Sequence, residues 1–128
     1  MPTLNLTKDN FDKTITENDM VIVDFWAPWC GPCKFFSPVF EAASEKHPDV
    51  VFAKVNTDEQ QELSGMFAIR SIPTLMIMRE KVILYQEAGA LPAGPLEEII
   101  DKAKALDMAE VHEEVAKQKG NVSPASDA

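Results

Sequence analysis

The run Met20 to Lys34, MVIVDFWAPWCGPCK, carries an unbroken apolar segment, an abrupt interruption and both cysteines of the chain. Met20 to Trp26 lacks the alternation of a half-exposed strand, which predicts a strand covered on both faces at the centre of a sheet. APWCGP breaks it. After Pro32, the residues Phe36, Val39, Phe40 and Ala43 recur at helical spacing as far as about His47, with Pro38 expected to kink the helix. Cys30 therefore falls where a central strand gives way to a helix.

Working outward, Thr3 to Leu6 is a short strand, and Thr7 is placed to cap a helix with Phe11 and Ile15 on one face. Val50 to Asn56 reads as another buried strand, followed by a short helix carrying Leu63, Met66 and Phe67 on one side. Ile72 to Met78 and Val82 to Glu87 are close enough to pair as an antiparallel hairpin. Leu96, Ile99, Ile100 and Ala103 mark a last amphipathic helix with Pro95 in its first turn. The order βαβαβα followed by ββα, without internal repeats, predicts an α/β fold whose sheet has a parallel part and helices on both faces.

The chain has 128 residues, 45% hydrophobic and 26% charged, which suits one domain with a packed core. With 21 acidic and 12 basic residues, the net charge of -9 argues against nucleic-acid or anionic-membrane partners. No apolar run approaches the ~18 residues of a membrane-spanning helix, and MPTLNLTKDNF has no secretory pattern. The expectation is a cytoplasmic protein, and in that compartment two cysteines do not form a structural disulfide framework.

At a strand-to-helix junction the unpaired N–H groups and positive dipole end of the helix favour a thiolate at Cys30. Gly31 lets the backbone approach closely, and Pro32 presets the helical φ, so Cys33 lies within reach for a small disulfide ring. A thiolate attacking a substrate disulfide forms a mixed disulfide, which a second nearby thiol must displace. Cys30 suits the attack and Cys33 the resolution. A zinc site is disfavoured because there is no second cysteine pair and His47 and His112 have no ligand partner nearby in sequence, so no metal is expected. A Gly-Pro pair is also poor filling between two purely structural core cysteines.

WCGPCK, preceded by VDFWAPW and followed by SIPTLMI and EAGAL, resembles the thioredoxin family from about Thr3 to Leu106. The resemblance implies the thioredoxin fold, a central mixed sheet flanked by helices on both faces. It implies a reductant of protein disulfides with no bound cofactor. Its disulfide would be returned to the dithiol by a separate thioredoxin reductase, often a flavoprotein using NADPH. Its partners are then client proteins with disulfides and that reductase, and the chain is expected to be a monomer.

Asp24, between Val23 and Phe25 in the interior strand, should have a raised pKa and could accept the Cys33 proton directly or through a water. It is equally readable as a hydrogen-bonded core acid, but the position matches the family's buried acid. Lys54 interrupts VVFAKVN, and a neighbouring strand could bring its ammonium toward Asp24, as the family does. Taken alone, a strand lysine reads as a snorkelling surface residue. By resemblance, Pro73 follows a cis bond and faces the cysteines, with Ile72, Pro73 and Thr74 pairing with an extended substrate. Trp29, Gly31, Pro32, Gly89 and Ala90 would complete an apolar docking surface around an exposed Cys30 sulfur, with Trp26 as packing support.

Two features depart from the family pattern. Arg79, Glu80 and Lys81 replace an Asn-Gly-like turn and suit positive φ poorly. Residues 107–128 run past the usual end of the domain at 106. There Asp107 and Glu110 resemble a capping box for a short helix over about 108–119, with Met108, Val111 and Val115 on one side. Gly120 is placed to end that helix, and NVSPASDA reads as a mobile tail. Two other functions share such a sequence: a redox-inactive scaffold of the same fold, and a dithiol oxidase or isomerase. Asp24 and Pro73 argue against the first. Gly31-Pro32 and the missing signal argue against the second.

Overall fold

The computed structural model describes residues 3–121, and the expected mobile tail lies outside them apart from its first residue. The elements follow in the order β1 (Thr3–Asn5), α1 (Lys8–Glu17), β2 (Met20–Trp26), α2 (Gly31–Lys46), β3 (Val51–Asn56), α3 (Gln61–Met66), β4 (Thr74–Arg79), β5 (Val82–Ala88), α4 (Ala93–Ala105) and α5 (Met108–Asn121). The strands form one sheet in the order β1-β3-β2-β4-β5. β1, β3 and β2 run parallel, whereas β4 and β5 are antiparallel additions.

The pleat of β2 sorts its side chains onto two cores. Val21, Val23 and Phe25 join Phe11 and Ile15 of α1 and Leu63 of α3 on one face. Met20 and Ile22 join Phe36 and Phe40 of α2 and Leu96 and Ile100 of α4 on the other. Because β2 is covered on both sides, its first six residues are all buried, as a non-alternating apolar run requires. Truncating a fully buried ring such as Phe40 should cost about 3–5 kcal/mol through lost transfer energy and the cavity left behind.

Local signals explain most boundaries. Thr7 and Asn10 form a reciprocal capping box at the start of α1. Pro73 has no N–H for the sheet, so β4 begins one residue later, after a cis Ile72-Pro73 bond. Pro38 lies inside α2 without ending it. Asp107 Oδ1 accepts from Ala109 and Glu110 N–H at the start of α5, and Met108 is buried.

Three expectations are corrected. Met66 is 66% exposed: it is the last residue of α3, and Phe67 and Ile69 pack against the core beside Leu63 in its place. Gly120 does not end α5, which continues to Asn121, since an isolated glycine weakens a helix by only about 1 kcal/mol and does not oblige it to stop. Glu80 and Lys81 do adopt positive φ, 51° and 69°, making the two-residue turn of the β4-β5 hairpin despite their side chains. The turn is held by its surroundings: Glu80 N–H donates to Asp19 O at 2.7 Å, and His112 of α5 meets Glu80 Oε1 at 2.8 Å.

Candidate active site

Cys30 is the N-cap of α2, in extended backbone at φ -88° and ψ 113°. Its Sγ accepts the Cys33 N–H at 3.2 Å, so the sulfur takes the place that a serine or aspartate oxygen holds in an ordinary cap. Such a position favours negative charge, because an orphan donor and the helix dipole both point at it. Cys30 and Cys33 are joined as a disulfide with their Cα atoms 5.2 Å apart, well within the range a bridge requires. Both are almost wholly buried, which corrects the expectation of an exposed Cys30 sulfur. Ala27 and Cys33 pack around Cys30, with Ile72 and Trp26 at the edge.

The Ile72 carbonyl oxygen lies 3.7 Å from Cys30 Sγ, so the loop before β4 meets the cysteines. Pro73 and Thr74 are buried, and Thr74 donates its hydroxyl to Ser71 O at 2.5 Å. Gly89, at φ 118°, donates its N–H to Pro73 O at 2.8 Å and ties the end of β5 to that loop. Only glycine tolerates that backbone without strain. Ala90 beside it, and Gly31 and Pro32 across the site, are exposed. Trp29 is 70% exposed, yet its indole N–H donates to Asp58.

Behind the disulfide is a cavity of about 360 Å³ lined by Asp24, Trp26, Cys33, Ser37 and Lys54, among others. Asp24 is 1% exposed, and neither of its carboxylate oxygens has a hydrogen-bond partner among the described residues. Burial pushes its pKa from 3.8 up to about 7; Lys54 opposes the shift, and Glu41 adds to it. Asp24 and Lys54 are register partners across β2 and β3, so the sheet does bring them together. The ammonium, however, donates to Ser37 Oγ at 2.8 Å and to Glu41 Oε2 at 3.4 Å. It also stands 5.6 Å from the centroid of the Trp26 ring, which does more than fill space.

The arrangement is a sulfur capping a helix N-terminus, a second sulfur one turn on, and a buried acid sharing a cavity with the second. The thioredoxin family model matches residues 2–102. The chain belongs to the thioredoxin family. A putative thioredoxin 2 of Streptomyces coelicolor is 55% identical over 117 residues, covering 91% of this chain and 87% of that one. Among solved structures, a mutant thioredoxin from Halobacterium salinarum superposes with a TM-score of 0.76 at 30% identity, over 82% of this chain and 93% of that one. A thioredoxin of Plasmodium falciparum gives 0.71 at 36% identity, over 77% and 96%. As a member of this family, the protein is a thiol-disulfide oxidoreductase that reduces client disulfides through the Cys30-Cys33 pair and a mixed-disulfide intermediate. Among the described residues no helix is long and apolar enough to cross a membrane.

Three site neighbours are missing from the sequence reading. Asp58 lies in the loop after β3 and reaches Trp29 only through the parallel pairing of β2 with β3. Ser37 and Glu41 follow Cys33 at intervals of four, a spacing that places all three on one face of α2. That spacing is visible in the sequence, but its meaning depends on Lys54 facing it.

Proposed function

We propose that Cys30 is the attacking thiolate, Cys33 the resolving thiol and Asp24 the base that takes the Cys33 proton. The observation that carries this reading is the Cys30 cap: the Cys33 N–H donates to Cys30 Sγ at the positive end of α2. Cys30 S⁻ attacks one sulfur of the client disulfide, and the other client sulfur leaves as a thiolate that takes a proton from solvent. Cys33 passes its proton to Asp24 and attacks Cys30 Sγ. The Cys30-Cys33 disulfide forms and the client's remaining sulfur is released, so one dithiol is oxidised as one disulfide is reduced. Lys54 influences this step through the charge it places in the Asp24 cavity.

The exposed Trp29, Gly31, Pro32, Gly89 and Ala90 would take the client chain, while the Ile72 and Pro73 backbone offers it an extended edge. Thr74, whose hydroxyl is engaged by Ser71, would shape that edge from beneath. The dithiol would be restored by a thioredoxin reductase, a flavoprotein drawing on NADPH, with no cofactor held by the chain itself. This reading makes the chain a cytoplasmic monomer, and its -9 charge disfavours nucleic acid and anionic membrane. It divides the chain into a domain at 1–106 and an appendage at 107–128, which docks by Met108. The Streptomyces relative supports an appendage shared beyond the domain, because a match of 117 residues in 128 must extend past 106.

Insulin reduction coupled to NADPH and a flavoprotein thioredoxin reductase tests the reading. Multiple turnovers per protein molecule are expected. A protein that stays oxidised under those conditions while oxidising client dithiols would overturn it.

A further inference from the structure

Asp24 and Lys54 are adjacent in register on β2 and β3, and a lysine stem is long enough for its ammonium to meet a neighbouring carboxylate. The side chain goes elsewhere. Cys33, Ser37 and Glu41 form a stripe along α2, and the Lys54 ammonium is bound by the two oxygens that this stripe offers, Ser37 Oγ at 2.8 Å and Glu41 Oε2 at 3.4 Å. Glu41 is itself steadied by the Thr3 hydroxyl at 3.3 Å, from the edge strand. The Lys54 side chain is largely buried, whereas the Glu41 side chain is 38% exposed, so solvent partly screens the ion pair. Both Asp24 oxygens are left without a donor among the described residues.

We propose that Ser37 and Glu41 are positioning residues of the reduction step, which hold the Lys54 ammonium against α2 and so keep it from pairing with the Asp24 carboxylate. The inference rests on the assignment of Asp24 as the base for Cys33. A carboxylate locked in a buried ion pair is a poor proton acceptor, because protonation would break the pair. An unpaired buried carboxylate binds a proton in the range where a thiol can exchange with it.

Among the described residues, the cavity contains no other buried charge that could replace Lys54 in this role. β2 contributes Asp24 and Trp26, and β3 contributes Lys54. α2 contributes Cys33, Ser37 and, at the exposed rim, Lys34, with Glu41 behind Lys54. β4 presents only Leu75 beside Asp24, and α4 packs Leu96 on the same face. Removing Ser37 Oγ and the Glu41 charge therefore leaves Asp24 as the anion that a released Lys54 can reach.

The test is a carboxyl-carbon NMR titration of Asp24 in the reduced full-length protein, paired with the pH profile of insulin reduction. The variants are Ser37→Ala, Glu41→Gln and the double substitution. The expected result is a downward move of the Asp24 midpoint by roughly one pH unit in the double variant and a smaller one in Ser37→Ala. The acid limb of the pH profile should move with it. Losing the Glu41 charge lowers the midpoint directly, so the same substitutions are repeated with Lys54→Met, where the shift should shrink to that direct part and vanish for Ser37→Ala; an equal shift there would overturn the proposal. Ser37→Thr keeps the hydroxyl and should retain the parent midpoint. A folded double variant whose Asp24 titrates like the parent would overturn the proposal. A midpoint that moves under an unchanged pH profile would instead overturn Asp24 as the base, and with it the role in reduction, so the two failures are distinguishable.

Discussion

Trp29 donates its indole N–H to both carboxylate oxygens of Asp58, at 3.2 and 3.0 Å, which fixes an otherwise exposed ring beside Cys30. A fixed aromatic contact loses less side-chain freedom when a client docks than a free one does. Asp58→Ala should raise KM for protein disulfides several-fold while leaving the reaction with a small-molecule disulfide unchanged. Steady-state kinetics on both substrates decides it, and an unaltered protein KM would remove Trp29 orientation from client binding.

The two cysteines should fail differently. Cys30→Ser removes the nucleophile and with it every reaction with a client disulfide. Cys33→Ser retains the attack but not the resolution, so it should accumulate a mixed disulfide. Intact-mass analysis after incubation with a disulfide peptide should show a stable adduct for Cys33→Ser alone. An adduct on Cys30→Ser would reverse the assigned roles.

Asp24→Asn should slow turnover and stabilise the fold at pH 8. The folded-state pKa of about 7 lies above the ordinary 3.8, so the native protein binds the extra proton between those values. The stabilisation is complete below about pH 4, declines as pH rises, and is gone above the folded-state value. Its full span is on the order of 4 kcal/mol, an upper bound that relaxation of the cavity reduces. Urea unfolding of parent and variant at pH 5 and pH 8 checks the sign: the advantage of asparagine should grow with pH, and a constant difference would falsify the buried-acid account.

Lys81→Gly should stabilise the protein by about 1 kcal/mol, since Lys81 holds φ 69° where a Cβ is penalised. Its side chain is exposed, so little packing is lost. Thermal unfolding should show a higher midpoint with activity unchanged. A lower midpoint would mean that the Lys81 side chain contributes more than the backbone strain removes.

Deleting residues 107–128 should remove the buried Met108 and the His112–Glu80 contact. The burial lost is worth about 1.5–3 kcal/mol. Stability should fall by that order while insulin reduction continues near the parent rate. A deletion variant that folds normally but reduces insulin poorly would make α5 part of the working surface.

Much of this molecule is legible in its sequence, because the decisive signals are local. MVIVDFW must be buried on both faces, whatever surrounds it, and the break at APWCGP sets the start of α2. The burial of Asp24 follows from its two apolar neighbours on each side along the strand. What the sequence hides depends on distant segments meeting. Strand pairing places Lys54 beside Asp24, but its actual bonds require the stripe of Ser37 and Glu41 to descend over it. Met66 fits an apolar face by spacing, but Phe67 and Ile69 from the following loop take the core positions beside Leu63. The Glu80-Lys81 turn contradicts residue preference, since contacts from Asp19 and His112 settle a conformation that neither residue favours alone.

Cys30 is the cap of α2 as well as its reactive atom, so electron transfer changes the charge on a piece of secondary structure. With Cys30 as the thiolate proposed above, the helix ends on an anion in the dithiol state; in the disulfide state it ends on a neutral sulfur. Every turnover therefore discharges and recharges the same helix terminus, and the backbone amides act as a fixed counter-ion that no diffusing species can remove. Because the dipole's influence falls off within one turn, only the first few residues of α2 have leverage over this balance. Lys34 and the exposed Gly31-Pro32 pair are thus where charge could be written in to retune reducing power, leaving the two cores of the sheet untouched.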